Sequence, residues 1–263
     1  MACLVALVAS LSGAAGTRAQ QPAPDIDLAL VLAVDVSRSM DPDEQRLQRA
    51  GYAAAFRHPE VQAAIRSGIH GRIAVAYLEW GGYGRDRVIV PWTFIASAAE
   101  AAAFADDLDI LPIDRWSGTS ISGGLHAAGR LLMDPRVAGA RRVIDVSGDG
   151  PNNTGPPIVS TRDELVARGI VINGLPIMLK VADSYFGLPD LDRYYAACVI
   201  GGPGAFIVPV REVEEFPSAI RRKLVLEISG TDLPIVPAAA TDASYDCMIG
   251  EKLRQRWIRE EGR

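Results

Sequence analysis

The sequence predicts an α/β fold: a doubly wound, mostly parallel six-stranded sheet with one antiparallel edge strand and helices on both faces. Three observations predict it. Apolar runs alternate with helix-like segments along the 263 residues, the pattern of strands joined by crossover helices. The first run, residues 28–34, is apolar without a break, as in a central strand covered on both sides. Hydrophobic residues make up 49% of the chain and charged residues 22%, enough apolar material for a core without staples.

Each element has a local reason. The first strand ends at Asp35. Asp41-Pro42-Asp43-Glu44 then starts a helix: Asp41 is the N-cap, Pro42 sits in the first turn and Glu44 closes a capping box. That helix runs to Phe56, with a second short piece over 59–65. Residues 72–80 form the second strand, 81–86 a Gly-rich turn and 87–92 the third strand. The short turn makes this pair antiparallel. Ser97 and Glu100 have capping-box spacing and open a helix to 108. Residues 121–133 are a helix and 142–147 the fourth strand. Thr161 and Glu164 open a helix that ends near Gly169. A fifth strand over 170–175, a short helix over 188–197, a sixth strand over 205–208 and a long helix over 212–227 complete the domain. Beyond Gly230, Pro234 and Pro237 mark a linker or strap, and 246–261 form a charged terminal helix.

The first 15 residues carry no charge and lead into Thr17-Arg18-Ala19, which reads as a secretory signal cleaved after Ala19. It is too short to span a bilayer. Its start lacks Lys and Arg, so either the true start lies upstream or the signal is atypical; Cys3 is a lipid-attachment residue only if residues precede it. The expected organisation is a signal over 1–19, a spacer over 20–26, one domain over 27–229 and an extension over 230–263. Export places the protein in the periplasm or outside the cell, with no transmembrane segment. In an oxidising compartment the two remaining cysteines, Cys198 and Cys247, pair as a disulfide that tethers the extension; two buried thiols are the alternative.

Composition excludes some chemistry. A net charge of −5 and a pI near 5.3 oppose nucleic-acid binding, which needs clustered Lys and Arg. Three Cys and three His oppose a Cys/His zinc site. His58, His70 and His126 are scattered and read as ordinary surface or packed residues. Oxygen chemistry remains, and it gathers in three loops at strand ends or helix starts. The first is Asp35-Val36-Ser37-Arg38-Ser39. The second is Trp116-Ser117-Gly118-Thr119-Ser120. The third is Ser147-Gly148-Asp149-Gly150. Hard cations take such oxygen ligands, and helix N-termini beside the loops add positive potential.

Asp35-x-Ser37-x-Ser39, then Thr119, then Asp149-Gly150 resembles the metal-ion-dependent adhesion site of von Willebrand factor type A (VWA) domains, over about residues 27 to 229. The segments around Glu79-Trp80, Gly118-Thr119 and Asp145 to Asn153 further resemble a bacterial family of exported proteins described as a VWA-like domain of unknown function. The resemblance implies that Ser37, Ser39 and Thr119 offer hydroxyls to a divalent cation, with Asp35 and Asp149 acting directly or through water. It implies Mg²⁺, with Mn²⁺ or Ca²⁺ as alternatives. It also implies a protein or peptide partner offering an Asp or Glu carboxylate. VWA strands usually run into Thr-Asp-Gly; here Asp145 interrupts the strand and Gly148 precedes Asp149, so Asp145 is either a supporting acceptor or an edge residue.

Trp116 either lines a binding surface or packs. Tyr83 either meets a partner or faces solvent, and Ser120 is a further candidate contact. Glu79 either approaches the site or pairs with Arg85. Asn152-Asn153-Thr154 matches a glycosylation sequon. Two functions compete: a non-enzymatic exported binding module, and a metal-assisted periplasmic hydrolase. The loops contain no His as general base, and the chain has neither a G-x-S-x-G elbow nor a phosphate loop. The binding module is therefore preferred.

Overall fold

The computed structural model describes residues 24–110, 112–179, 187–230 and 245–261. The expected signal, the start of the spacer and the Pro-containing linker after Gly230 lie outside the described residues. Strand β1 (Leu28–Asp35) is central and wholly buried. It pairs in parallel with β2 (Ile73–Trp80) and β4 (Arg141–Gly148). β3 (Asp86–Ile95) runs antiparallel to β2, and β5 (Ile170–Pro176) is parallel to β4. The order across the sheet is β3-β2-β1-β4-β5.

Alternation along β1 builds two unlike faces. Leu28, Leu30, Leu32 and Val34 point into a core shared with α1 (Pro42–Arg57), α2 (Pro59–Arg66), α3 (Ala98–Ile110) and α7 (Phe216–Ser229). Ala29, Val31 and Ala33 point the other way, to α4 (Ile121–Leu131), α5 (Ile158–Ala167) and the short α6 (Leu191–Tyr194) with the wider turn Tyr195–Val199. Small residues on this side let α4 lie close: a Cβ on Gly124 would fall 2.7 Å from the Trp80 ring. The expected capping box forms, with Asp41 Oδ1 accepting from the Asp43 and Glu44 amides and Glu44 Oε2 from the Asp41 amide.

Three expectations are corrected. The sheet has five strands, not six. Residues 205–208 pair with β5 through an isolated bridge, Gly174 to Ile207, and form no ladder. Gly202 and Gly204 adopt positive φ just before, Pro209 lacks a donor, and the Phe206 amide donates to the Asn173 side chain instead of a ladder carbonyl. Second, α5 starts at Ile158. Thr161 lies inside it, its hydroxyl turned back to Pro157 O, because Pro156-Pro157 already fixes the entry. Third, the helical residues of 188–197 split at Tyr195, where the wider turn begins.

Cys198 and Cys247 form a disulfide, as expected. It brings the terminal helix α8 (Ile249–Glu261) back to the domain. Tyr245 packs beside Tyr194 with ring centroids 6.2 Å apart. Under the sheet on the α7 side lies a buried charge cluster. Lys223 Nζ is 2.5 Å from Asp145 Oδ1 and 2.6 Å from Glu227 Oε1. No helix among the described residues is long and apolar enough to cross a membrane.

Candidate metal centre

β1 delivers Asp35 at its carboxyl end, on the face toward Tyr195. Asp35 Oδ1 accepts the Ser37 amide at 2.7 Å, an Asx-type turn that curls the loop back over the strand. The Ser37 and Ser39 hydroxyls lie 2.8 Å apart. Ser39 Oγ donates to Asp149 Oδ1 at 2.6 Å, and Thr119 Oγ1 lies 3.5 Å from Ser37 Oγ. Oxygens from all three loops thus converge.

Backbone contacts hold the loops together. The Arg38 amide donates to Trp116 O at 2.9 Å, and the Trp116 amide to Val36 O at 3.2 Å. The Thr119 amide donates to Asn153 Oδ1 at 2.9 Å, and the Asn153 amide to Thr119 O at 2.8 Å. The second loop passes so close to the β2–β3 turn that a Cβ on Gly82 would meet Ser117 O at 2.3 Å.

Gly148 explains the departure from the usual VWA strand ending. A Cβ there would lie 2.9 Å from Asp35 Oδ2 and 3.0 Å from the Tyr195 hydroxyl. The bare Cα makes room for the carboxylate and the phenol. Asp35 is fully buried, and its Oδ2 has no hydrogen-bond partner. Burial, and then the charge of Asp149, push the Asp35 carboxyl well above its ordinary value. Such an oxygen is costly to leave unsatisfied. Two carboxylates and three hydroxyls, all oxygen donors, fit a hard divalent cation. Among the described residues no group of three or more His, Cys, Asp or Glu is placed to hold a metal ion, and this cluster, with two carboxylates, depends on its hydroxyls for the rest.

The other candidates have different placements. Asp145 lies opposite Leu32, three residues short of the level of Asp35, and so does not reach the site: it faces α7 and Lys223. Glu79 pairs with Arg49, not Arg85. Trp116 is half-buried against Gly81. Ser120 caps α4, accepting from the Gly123 amide and donating to Thr154 O at 2.8 Å. Tyr83 is exposed over Gly155. None of Trp116, Ser120 and Tyr83 lines the cavity above the oxygens. The sequon asparagine, Asn152, is fully buried, and its Nδ2 donates to Pro156 O and Glu251 Oε1; it presents no surface amide for a glycan.

Sequence reasoning missed Tyr195 and the part played by α8. The Tyr195 hydroxyl is buried beside Asp35 with no hydrogen-bond partner. Burial, and then the Asp35 charge, hold its phenol well above the ordinary range. Ser37, Ser39, Thr119 and Asp149 open into a cavity of about 900 Å³, whose lining also includes Arg254 and Trp257 of α8.

A family model described as "Protein of unknown function (DUF1194)" matches residues 25–232. The chain belongs to this family. No curated protein matches the sequence significantly. Solved structures agree on the fold. The pilus adhesin SpaC of Lactobacillus rhamnosus GG, in its open conformation, aligns with a TM-score of 0.59 at 15% identity, over 79% of this chain and 30% of its own. Proximal thread matrix protein 1 of the mussel byssus, described with a zinc-occupied MIDAS motif, aligns at 0.55 and 15% identity, over 77% of this chain and 46% of its own. The VWA domain of SpRpn10 aligns at 0.52 and 13% identity, over 76% of this chain and 95% of its own. The DUF1194 chain therefore has the VWA fold, and it spans less than half the length of the first two of these proteins.

Proposed function

We propose that this protein is an exported, non-enzymatic binding module. It holds a divalent cation, Mg²⁺ by preference, through Asp35, Ser37, Ser39, Thr119 and Asp149, and uses it to bind a protein or peptide ligand through an acidic group. The observation that carries the reading is Asp35 Oδ2: a fully buried carboxylate oxygen without a partner, in a cluster with a second carboxylate and three hydroxyls. The bound cation supplies a Lewis-acidic centre that attracts an anionic oxygen. The chain's own residues supply near-neutralising charge and a fixed frame. Asn153 pins Thr119, and the Asx turn at Asp35 pins Ser37.

Two further observations support binding over turnover. Among the described residues the cavity lining offers no histidine. Its one carboxylate besides Asp149, among the described residues, is Glu44, which is engaged in the capping box of α1. The adhesin among the structural relatives is consistent with recognition as the role. The disulfide suits export to the periplasm or beyond. The proposed organisation is a cleaved signal over 1–19, a spacer over 20–26, the VWA domain over 27–229 and a tethered extension over 230–263.

The test is a thermal melt of the mature chain with Mg²⁺, Mn²⁺, Ca²⁺ or chelator. Metal at a hundred times Kd stabilises by about 2.7 kcal/mol, which raises Tm by several degrees. Asp35→Ala and Asp149→Ala remove the response. A wild-type Tm indifferent to millimolar metal, by melt and by titration calorimetry, rejects the site. Turnover of ester or phosphoester substrates that is lost in Asp149→Ala rejects the binding role.

A further inference from the structure

The terminal helix α8 lies outside the stretch matched by the family model, residues 25–232, yet it closes one side of the cavity over the oxygen cluster. Three attachments hold it there. The Cys198–Cys247 disulfide precedes its first turn. Asn152 Nδ2 donates to Glu251 Oε1 at 2.7 Å. Gly250 sits so close to the domain that a Cβ there would fall 2.0 Å from Asn152 O. Gly250, Arg254 and Trp257 are spaced i, i+4, i+7 and share one face of the helix. The contact at Gly250 directs that face to the domain, and Arg254 and Trp257 accordingly line the cavity.

The cavity is chemically two-sided. One end carries the oxygens that would hold the cation. The rest of the wall is largely apolar, from Met178 and Leu179 beyond β5, through Leu188 and Pro189, to Trp257. Arg38, Arg211 and Arg254 also line the cavity and add positive charge to it. At about 900 Å³ the space falls in the size range of ligand-binding clefts, unlike a flat contact face. A ligand that satisfies both ends has a carboxylate for the cation and the arginines, and a bulky apolar group beside it for the wall. A peptide with an acidic residue next to a large apolar one has this form.

We infer that α8 completes the binding pocket, with Trp257 and Arg254 as ligand-contact residues, and that the pocket selects peptides in which an acidic residue adjoins a large apolar side chain. The inference rests on the metal-centred reading of the site. It adds a specificity wall that the three loops alone lack.

The probes are four capped peptides: acetyl-Gly-Asp-Leu-Gly-amide, acetyl-Gly-Leu-Asp-Gly-amide, acetyl-Gly-Asp-Gly-Gly-amide and acetyl-Gly-Asn-Leu-Gly-amide. Their binding to the full mature chain in Mg²⁺ is measured by calorimetry or ligand-observed NMR. Burial of a leucine side chain gives the better Asp-Leu arrangement about a tenfold advantage over the Gly-flanked peptide. The Asn peptide does not bind. Trp257→Ala abolishes the leucine advantage and leaves Mg²⁺ binding intact, while Trp257→Phe keeps both. Arg254→Ala weakens the Asp peptides several-fold and keeps the leucine preference.

The inference is overturned if Mg²⁺ binds and no Asp peptide does. It is equally overturned if Asp peptides bind without leucine preference, or if the preference survives Trp257→Ala. Failure of Mg²⁺ alone to bind the wild type removes the underlying reading, and this one with it. Mg²⁺ titration is therefore run first and separates the two failures.

Discussion

Glu227→Gln is expected to remove a pH dependence of folding built into the core. In the wild type, one ammonium, Lys223, serves two carboxylates, Asp145 from β4 and Glu227 one helical turn along α7. All three side chains are essentially inaccessible to water. Asn173 from β5 donates to Glu227 Oε1 at 3.0 Å, while Oε2 has no partner. Tyr52 of α1, Arg141 of β4, Tyr77 of β2 and Tyr195 are further titratable groups that sense the cluster. Burial, and then the Asp145 charge, push the Glu227 carboxyl from 4.5 up to about 7, against the pull of Lys223. The folded protein thus binds this proton more tightly than the unfolded chain. Stability falls as pH rises from 4.5 to about 7 and levels above. The lost stability is about 3 kcal/mol for one carboxyl.

The assay is urea denaturation of wild type and Glu227→Gln at steps from pH 4.5 to 8. The wild-type advantage over the variant should shrink by about 3 kcal/mol across that window. Above pH 7 the variant, with Lys223 facing Asp145 alone, should equal or exceed the wild type. Taking the difference cancels the histidines and surface acids. A difference flat to within about 1 kcal/mol, or one that grows with pH, refutes the reasoning.

Gly148→Ala places a methyl against Asp35 Oδ2 and the Tyr195 hydroxyl; overpacking should cost about 1–3 kcal/mol in denaturant melts, and Mg²⁺ affinity should drop with it. Unchanged stability and affinity would mean that the close approach at Gly148 is unimportant. Reducing the Cys198–Cys247 bridge, or replacing both cysteines with Ser, frees a loop with a sequence separation of 49. Chain entropy sets a ceiling of about 4 kcal/mol on that loss. Native-state proteolysis should then cut α8 before the domain, and equal resistance with and without reductant would show that α8 is held by its other contacts.

Much of the domain was legible in the sequence because local rules carry it. The unbroken run at 28–34 suits a strand covered on both faces, and it is β1. The Asp41 box starts α1 as its spacing predicts. The oxygen residues were legible because each lies where a strand ends or a helix begins. The sixth strand and the Thr161 box misled for a shared reason. Both are local signals, apolar residues in one case and capping spacing in the other, that neighbours override: Gly202, Gly204 and Pro209 break the ladder, and Pro156-Pro157 starts α5 early.

The sequence by itself determined the fold class and the oxygen-only character of the candidate site, since periodicity and residue chemistry are local or countable properties; it left the cysteines open between a bridge and two thiols, and the structure decided for the bridge. Tertiary structure decided the rest. Strand register, not spacing, turned Asp145 toward Lys223 and gave Asp149 to the cluster. Close approach in space, which no linear pattern encodes, explains Gly148 and places Tyr195 beside Asp35. Chain return, held by the disulfide and the Asn152 contacts, set Arg254 and Trp257 into the lining of a cavity shared with residues more than a hundred positions away.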